Sequence, residues 1–342
     1  MVERRPAEKR APDGPVPPAR RLAAADPRPP LADGNARMVT GRRGTGKLVA
    51  VANMKGGVGK TTSVVMLADA LAAGGASVLV IDLDPQASAS VCFAGDGVLA
   101  EMITAGRTLD YYLGLRIVDR DKAALPDFIR DYVSSTTHLG EPLPISLLAS
   151  GPSLRVVERE IIYALTKRQF SMHAIEGHLW KLFQEDFAPL RELYDYVLFD
   201  CAPGISPMTA VAIRASDLVV VACISDFLST YGLKAFYETI WGVGSASESM
   251  LAPKRPPHVL ITRWQNTKQH ATTYATLQAS AAAEGARFRL FRTRIPQSAA
   301  LANALTLEYQ TFANKYRDAT RDLIGEVITP VVAELKEALD GA

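Results

Sequence analysis

Eight consecutive residues, Lys55-Gly-Gly-Val-Gly-Lys-Thr-Thr62, constrain this chain more than any other feature. A short apolar run, Leu48-Val-Ala-Val-Ala-Asn53, leads into them. Thr61–Ala73 follows as a predicted helix, with Val64, Leu67, Ala68 and Leu71 on one face and Gly74-Gly75 as a stop. A glycine-rich turn between a buried strand and a helix is the setting of a phosphate-binding loop. Gly56, Gly57 and Gly59 let the backbone curl, with Val58 between them, so that successive amides face phosphate oxygens. The positive end of the helix adds to that field. Lys60 reaches the β- and γ-phosphates, the Thr61 hydroxyl serves Mg²⁺, and Thr62 supports the α-phosphate. The motif therefore implies a nucleoside triphosphate with Mg²⁺. A second x-Gly-Lys ending, Gly41-Arg-Arg-Gly-Thr-Gly-Lys47, lacks both the hydroxyl residue and a preceding strand, and is rejected.

Further strand-like runs are Ser77–Leu83, Tyr196–Asp200, Leu218–Cys223, Val259–Thr262 and Phe288–Phe291, with helical stretches between most of them. The alternation predicts an α/β fold: a doubly wound, mainly parallel sheet flanked by helices, with ligands at the C-terminal strand ends. Residues 95–195 read as mostly helical, with helices expected over Asp127–Ser135, Leu154–Gln169 and Ile175–Leu193. Residues 47–342 are expected to form one domain. Two strands end in acids, at Asp82-Leu-Asp-Pro-Gln86 and Asp200-Cys-Ala-Pro-Gly204. A Mg²⁺-nucleotide site needs carboxylates there, to hold the ion's water shell and to orient an attacking water. Alone, a strand-end aspartate is as readily a helix cap.

The loop departs from the common pattern. Met54 stands where a first glycine would, and a second lysine, Lys55, heads the run. With that lysine the sequence resembles the ParA/MinD family of deviant Walker A P-loop ATPases, on the ParA side. The acidic runs resemble the family's switch I and its Walker B and switch II. The resemblance implies that Lys55 crosses a dimer interface to phosphates bound by the partner, so that ATP joins two copies. It implies that Asp84 supports the attacking water, that Asp82 secures its strand end and the metal's outer shell, and that Asp200 holds Mg²⁺ through water. It places Arg263 and Pro296 near the adenine. It further implies slow ATP hydrolysis stimulated by a ParB-like or other adaptor, and a cytoplasmic, nucleoid-associated protein that positions a plasmid, chromosome or other cargo.

Composition narrows the classes. Residues 1–47 carry eleven Lys/Arg against five Asp/Glu and eight prolines, whereas the remainder carries 27 against 31. Residues 1–46 are expected to be a disordered basic tail, a solvated leader or a binding arm. Three cysteines without paired spacing speak for a reducing compartment, against a disulfide framework and against an iron–sulfur cluster at Cys201. The longest apolar candidate, from Ala210 to Ile224, is broken by Arg214 and Asp217, and the chain's end carries three acids and one lysine from Thr329 onward. The first point speaks against a membrane span, the second against membrane binding of the MinD kind. A metabolic P-loop synthetase or kinase is the other alternative, and no substrate-specific acid or base supports it. Between Lys254 and Arg294 lie eight Lys/Arg and a single acid, Glu284, followed by Lys315, Arg317 and Arg321 on an expected helix. Arg287, Arg289, Arg292 and Arg294 with these three form a candidate surface for non-specific DNA binding, or a solvated charged face.

Overall fold

The structure is a computed structural model that describes residues 46–242, 253, 255–306 and 310–341. The expected tail at 1–46 thus lies outside the described residues, apart from residue 46. The strands in chain order are β1 Lys47–Ala52, β2 Val78–Asp82, β3 Thr137–His138, β4 Glu141–Pro142, β5 Ile145–Leu148, β6 Tyr196–Asp200, β7 Leu218–Ile224, β8 His258–Thr262 and β9 Arg289–Leu290. The helices are α1 Lys60–Ala73, α2 Ser88–Thr104, α3 Leu109–Leu113, α4 Leu154–Lys167, α5 Met172–Asp186, α6 Pro207–Ala215, α7 Phe227–Trp241, α8 Lys268–Ala282, α9 Ala299–Asn303, α10 Phe312–Lys315 and α11 Thr329–Asp340.

Seven strands form one parallel sheet in the order β5-β2-β6-β1-β7-β8-β9, as a doubly wound fold requires. Strands buried on both sides must be apolar at nearly every position. Along β1, Leu48, Ala50 and Ala52 face one core layer, while Val49 and Val51 face the other. The first layer is closed by residues of α3 to α8, among them Leu109, Leu154, Leu179, Met208, Leu233 and Tyr274. The second is closed by α1, α2 and the C-terminal segment, through Val64, Leu67, Phe93, Tyr316, Val331 and Leu335. The register sets Asp200 at the end of β6 level with Asp82 on β2 and Val51 on β1. Both acids therefore finish at the edge from which the glycine-rich loop departs.

Three expectations are corrected. Asp127–Ser135 is not a helix. After a 3-10 turn at Leu125–Phe128 the chain runs extended, Arg130 bridges Leu147, and the Val133 amide donates to the Ile145 carbonyl at 2.9 Å. An edge strand leaves peptide groups unpaired, and this segment satisfies them. The strand so covered, β5, lies inside the stretch read as mostly helical. The third concerns Lys315, Arg317 and Arg321, which do not share a helix. Helix α10 stops at Lys315, and Arg317 and Arg321 lie in irregular chain beyond it.

Lys315 is not on a surface. Its Nζ sits 2.6 Å from Asp69 Oδ2 on α1 and donates to Thr136 Oγ1 at 3.1 Å, while the Tyr316 hydroxyl donates to the same Asp69 oxygen at 2.7 Å. Burial pushes the Asp69 carboxyl up, and Lys315 and Tyr316 pull it back. This buried ion pair ties α10 to the helix behind the glycine-rich loop. Removing one partner of such a pair leaves an uncompensated charge in the core. Lys315→Ala is expected to lower the unfolding free energy by about 3–5 kcal/mol, read as a lower urea midpoint, a cost that a DNA-contacting surface lysine would not show.

Candidate functional site

The loop between β1 and α1 is fixed at both ends. Asn53 donates its side-chain amide to the Ala222 carbonyl of β7 at 2.7 Å and accepts the Lys55 amide at 3.0 Å. Gly57 and Gly59 have φ of 72° and 84°, values that L-residues rarely adopt, and a Cβ on Gly59 would meet the Thr262 Cβ at 3.4 Å. Side chains hold three loop carbonyls. Lys60 Nζ donates to Lys55 O at 3.1 Å, Arg263 Nη1 to Gly57 O at 3.0 Å, and Thr262 Oγ1 to Val58 O at 2.6 Å. Gly56 and Thr62 flank this curl, and Val58 is fully buried beneath it.

Lys60 is 6% exposed. Burial lowers its pKa, opposed by the nearby Asp200, Cys201 and Asp84. Thr61 Oγ1 donates to Asp200 Oδ2 at 2.7 Å, whereas Asp200 Oδ1 is buried without a hydrogen-bond partner. Burial first, then Asp82, pushes the Asp200 carboxyl well up. A buried carboxylate oxygen with nothing to accept is costly unless a further donor arrives. A nucleotide-borne Mg²⁺ fits here: Thr61 offers a hydroxyl oxygen, and the bare oxygen of Asp200 can accept from the ion's water shell. Among the described residues no three His, Cys, Asp or Glu side chains gather as a metal cluster of their own.

The other two acids differ. Asp82 accepts the Asp84 amide on Oδ1 at 3.0 Å, and on Oδ2 the Ser90 amide at 2.8 Å and hydroxyl at 2.7 Å. It anchors the β2–α2 turn, and burial raises its pKa to about 6 against those hydrogen bonds. Asp84 is 8% exposed and takes the Gln86 amide at 2.9 Å on one oxygen. Lys55, by contrast, is half-exposed. Its Nζ donates to Ser229 Oγ at 3.1 Å and lies 3.7 Å from Asp226 Oδ2, while Asp226 Oδ1 caps α7 by accepting the Ser229 amide at 2.6 Å. Asp226, Ser229 and Thr262 were missed as site residues in the sequence. For Asp226 and Thr262 the signal is a polar residue at or just past the end of an apolar strand, the rule that picked out Asp82 and Asp200, whereas Ser229 sits on the first turn of α7.

Arg263, exposed at the end of β8, and buried Pro296, whose neighbour Ile295 accepts the Trp264 amide at 2.9 Å, lie on the Gly57–Gly59 side of the loop. Of the basic set, Arg287, Arg289, Arg292, Arg294, Arg317 and Arg321 are exposed. Several have company: Arg292 pairs with Glu337 at 2.6 Å, and Arg294 lies 4.1 Å over the Trp264 ring. Cys201 and Cys223 are buried and unpaired, and burial pushes the Cys223 thiol up to about 12.

The seven-stranded parallel sheet and its glycine loop with two lysines define a P-loop NTPase of the deviant Walker A class. The sequence profile of a family described as an AAA domain matches residues 46–252. The chain is 30% identical over 200 residues to a Pseudomonas putida protein of unassigned activity, covering 57% of this chain and 62% of that one. It is 28% identical over 203 residues to the chromosome partitioning protein ParA of Myxococcus xanthus, covering 58% and 61%. The chain thus spans less than two thirds of the length of these relatives. A plasmid partition protein of Borrelia burgdorferi bound to AMPPNP shares the fold with a TM-score of 0.57 at 21% identity, covering 85% of this chain and 99% of that one. The chain belongs to the ParA/MinD family of P-loop ATPases.

The raised carboxyls set a pH dependence. A folded-state pKa raised to about 6 for Asp82 stabilises the nucleotide-free fold fully below the ordinary carboxylate value of about 4 and loses that contribution as pH rises through 6, and the raised Asp200 carboxyl acts in the same direction. Mg²⁺ binding needs the ionised form and runs the other way. The thermal shift produced by Mg²⁺–nucleotide is therefore expected to shrink between pH 7.5 and 5.5, measured by scanning calorimetry with and without ligand.

Proposed function

We propose that this chain is a ParA-like ATPase switch that dimerises on ATP, binds DNA without sequence preference, and positions a plasmid, chromosome or other cargo through partner-stimulated hydrolysis. The observation that carries the reading is the division of labour between two lysines in one loop. Lys60 is buried against Asp200 and Asp84, while Lys55 is half-exposed at the loop's outer edge. A loop that served one subunit alone needs the first lysine but not the second.

In the proposed cycle the curl from Gly56 to Gly59 and the ammonium of Lys60 bind the β- and γ-phosphates, with Thr62 at the α-phosphate and Arg263 and Pro296 beside the base. Thr61 and Asp200 would hold Mg²⁺, with Asp82 fixing the strand end beside them; the ion would supply neutralisation of the phosphate charge. Asp84 orients a water that attacks the γ-phosphorus, the bond to the β-phosphate oxygen breaks, and ADP and phosphate leave. Lys55 leaves Ser229 and Asp226 to reach the phosphates held by the other copy. Arg287, Arg289, Arg292, Arg294, Arg317 and Arg321 supply the DNA surface, without Lys315. A ParB-like or other adaptor sets the rate, and the protein works in the cytoplasm on the nucleoid.

Lys60→Ala is expected to weaken ATP binding by about two orders of magnitude or more, measured with a fluorescent ATP analogue; unchanged affinity would displace the site. Asp84→Ala should keep ATP and the dimer while turnover falls by about 10²-fold. Normal turnover would exclude the water-orienting role. DNA affinity should fall with salt at about −0.9 in log–log slope per phosphate neutralised, and Arg289→Ala should reduce that slope by about 1. A slope indifferent to salt would remove the arginine surface from the account.

A further inference from the structure

We propose that a second copy of this chain covers the exposed apolar stripe at the start of α7, so that Phe227, Leu228 and Tyr231 form the apolar centre of the ATP-dependent seam. The proposal rests on the dimerising reading above. These three side chains are 72%, 68% and 70% exposed and occupy successive positions on one side of the first helical turns. No other helix of the described residues exposes three large apolar side chains. Leu233, Phe236 and Ile240 on the opposite side of α7 are buried, so the helix is already anchored and the stripe is surplus to its packing. An exposed cluster of this size marks an interaction surface.

Charge identifies the occupant. Phe227 to Leu233 contains no ionisable side chain except the Tyr231 phenol. The stripe is bordered by Lys55 beside Asp226 at one end and by Lys234 paired with Glu238 at 3.8 Å further along α7. That is an apolar centre with a rim of both signs, the anatomy of a protein–protein contact. The two cations are each matched by an acid, which leaves no net positive field for a nucleic acid or an anionic lipid surface. The Lys234–Glu238 end of the rim can meet its own copy across a two-fold axis, cation to anion twice over, while Lys55 enters the partner's phosphate site. Position adds a second reason. Ser229, on the same helical turn, holds the Lys55 ammonium, and Met54, next to Lys55, is itself 37% exposed. A partner that takes Lys55 into its phosphate site closes over this stripe as well.

The test uses the full-length chain, the double variant Phe227→Ser/Tyr231→Ser and the single variant Leu228→Glu, in sedimentation velocity with AMPPNP and Mg²⁺. Both should raise the dimer dissociation constant at least tenfold. Affinity for a fluorescent ATP analogue in the monomer and the melting temperature should match the unmodified chain. Variants that dimerise as the unmodified chain does would overturn the assignment, including the outcome in which only partner-stimulated turnover drops, which would give the stripe to the adaptor. If the unmodified chain stays monomeric with nucleotide, the dimerising reading fails and the stripe's assignment falls with it.

Discussion

A primary ammonium withdrawn from water must be answered by negative charge, and that requirement organises the molecule around Lys60. Burial works against its charged form, and the carboxylates of Asp200 and Asp84 work for it. Those carboxylates are in turn buried, and crowding raises Asp200. Neither side is comfortable alone. The parallel register, with Asp200 level with both Val51 and Asp82, keeps them within reach of the loop. The site therefore stores unmet electrostatic demand, seen most directly in the unpartnered Asp200 Oδ1, which the proposed Mg²⁺–triphosphate would answer from both signs at once.

The same logic recurs on the far side of α1, with a different outcome. Asp69, Lys315, Tyr316 and Thr136 form a polar knot inside the second core layer, with Lys315 and Tyr316 both on Asp69 Oδ2 and Asp69 Oδ1 left without a partner. Replacing such a pair by apolar residues is often neutral or better, so its presence buys no stability over a hydrophobic core. What it does provide is a fixed position for α10 against the loop's own helix.

How much of this was legible from residue order can be argued element by element. The loop, its flanking strand and helix, and Tyr196–Asp200 were readable because each combines a strong apolar run with an unambiguous terminator. Strand β5 was not, because four residues with a serine among them, Ile145-Ser-Leu-Leu148, carry little periodicity, and its neighbours in space lie far along the chain. The Asp127–Ser135 helix failed for the same reason: the partners that hold that segment extended belong to β5. Lys315 was misread because a count of positive charges along a segment says nothing of depth. The warning lay elsewhere, in a single aspartate within the otherwise apolar stretch of α1. Of the phosphate site, the loop and strand-end acids were visible, whereas the resting partner of Lys55 on α7 depends on how β1 and β7 abut, which only the sheet order supplies.

The three side-chain clamps on the loop carbonyls have a thermodynamic meaning. A peptide unit is planar and nearly always trans, so its carbonyl and its amide point to opposite sides. Pinning the oxygens of Lys55, Gly57 and Val58 consequently aims the amides of Gly56, Val58 and Gly59 the other way before any ligand arrives. The curl is thus preorganised: its conformational entropy is spent during folding, and an incoming phosphate meets donors already converged instead of a chain it must first order.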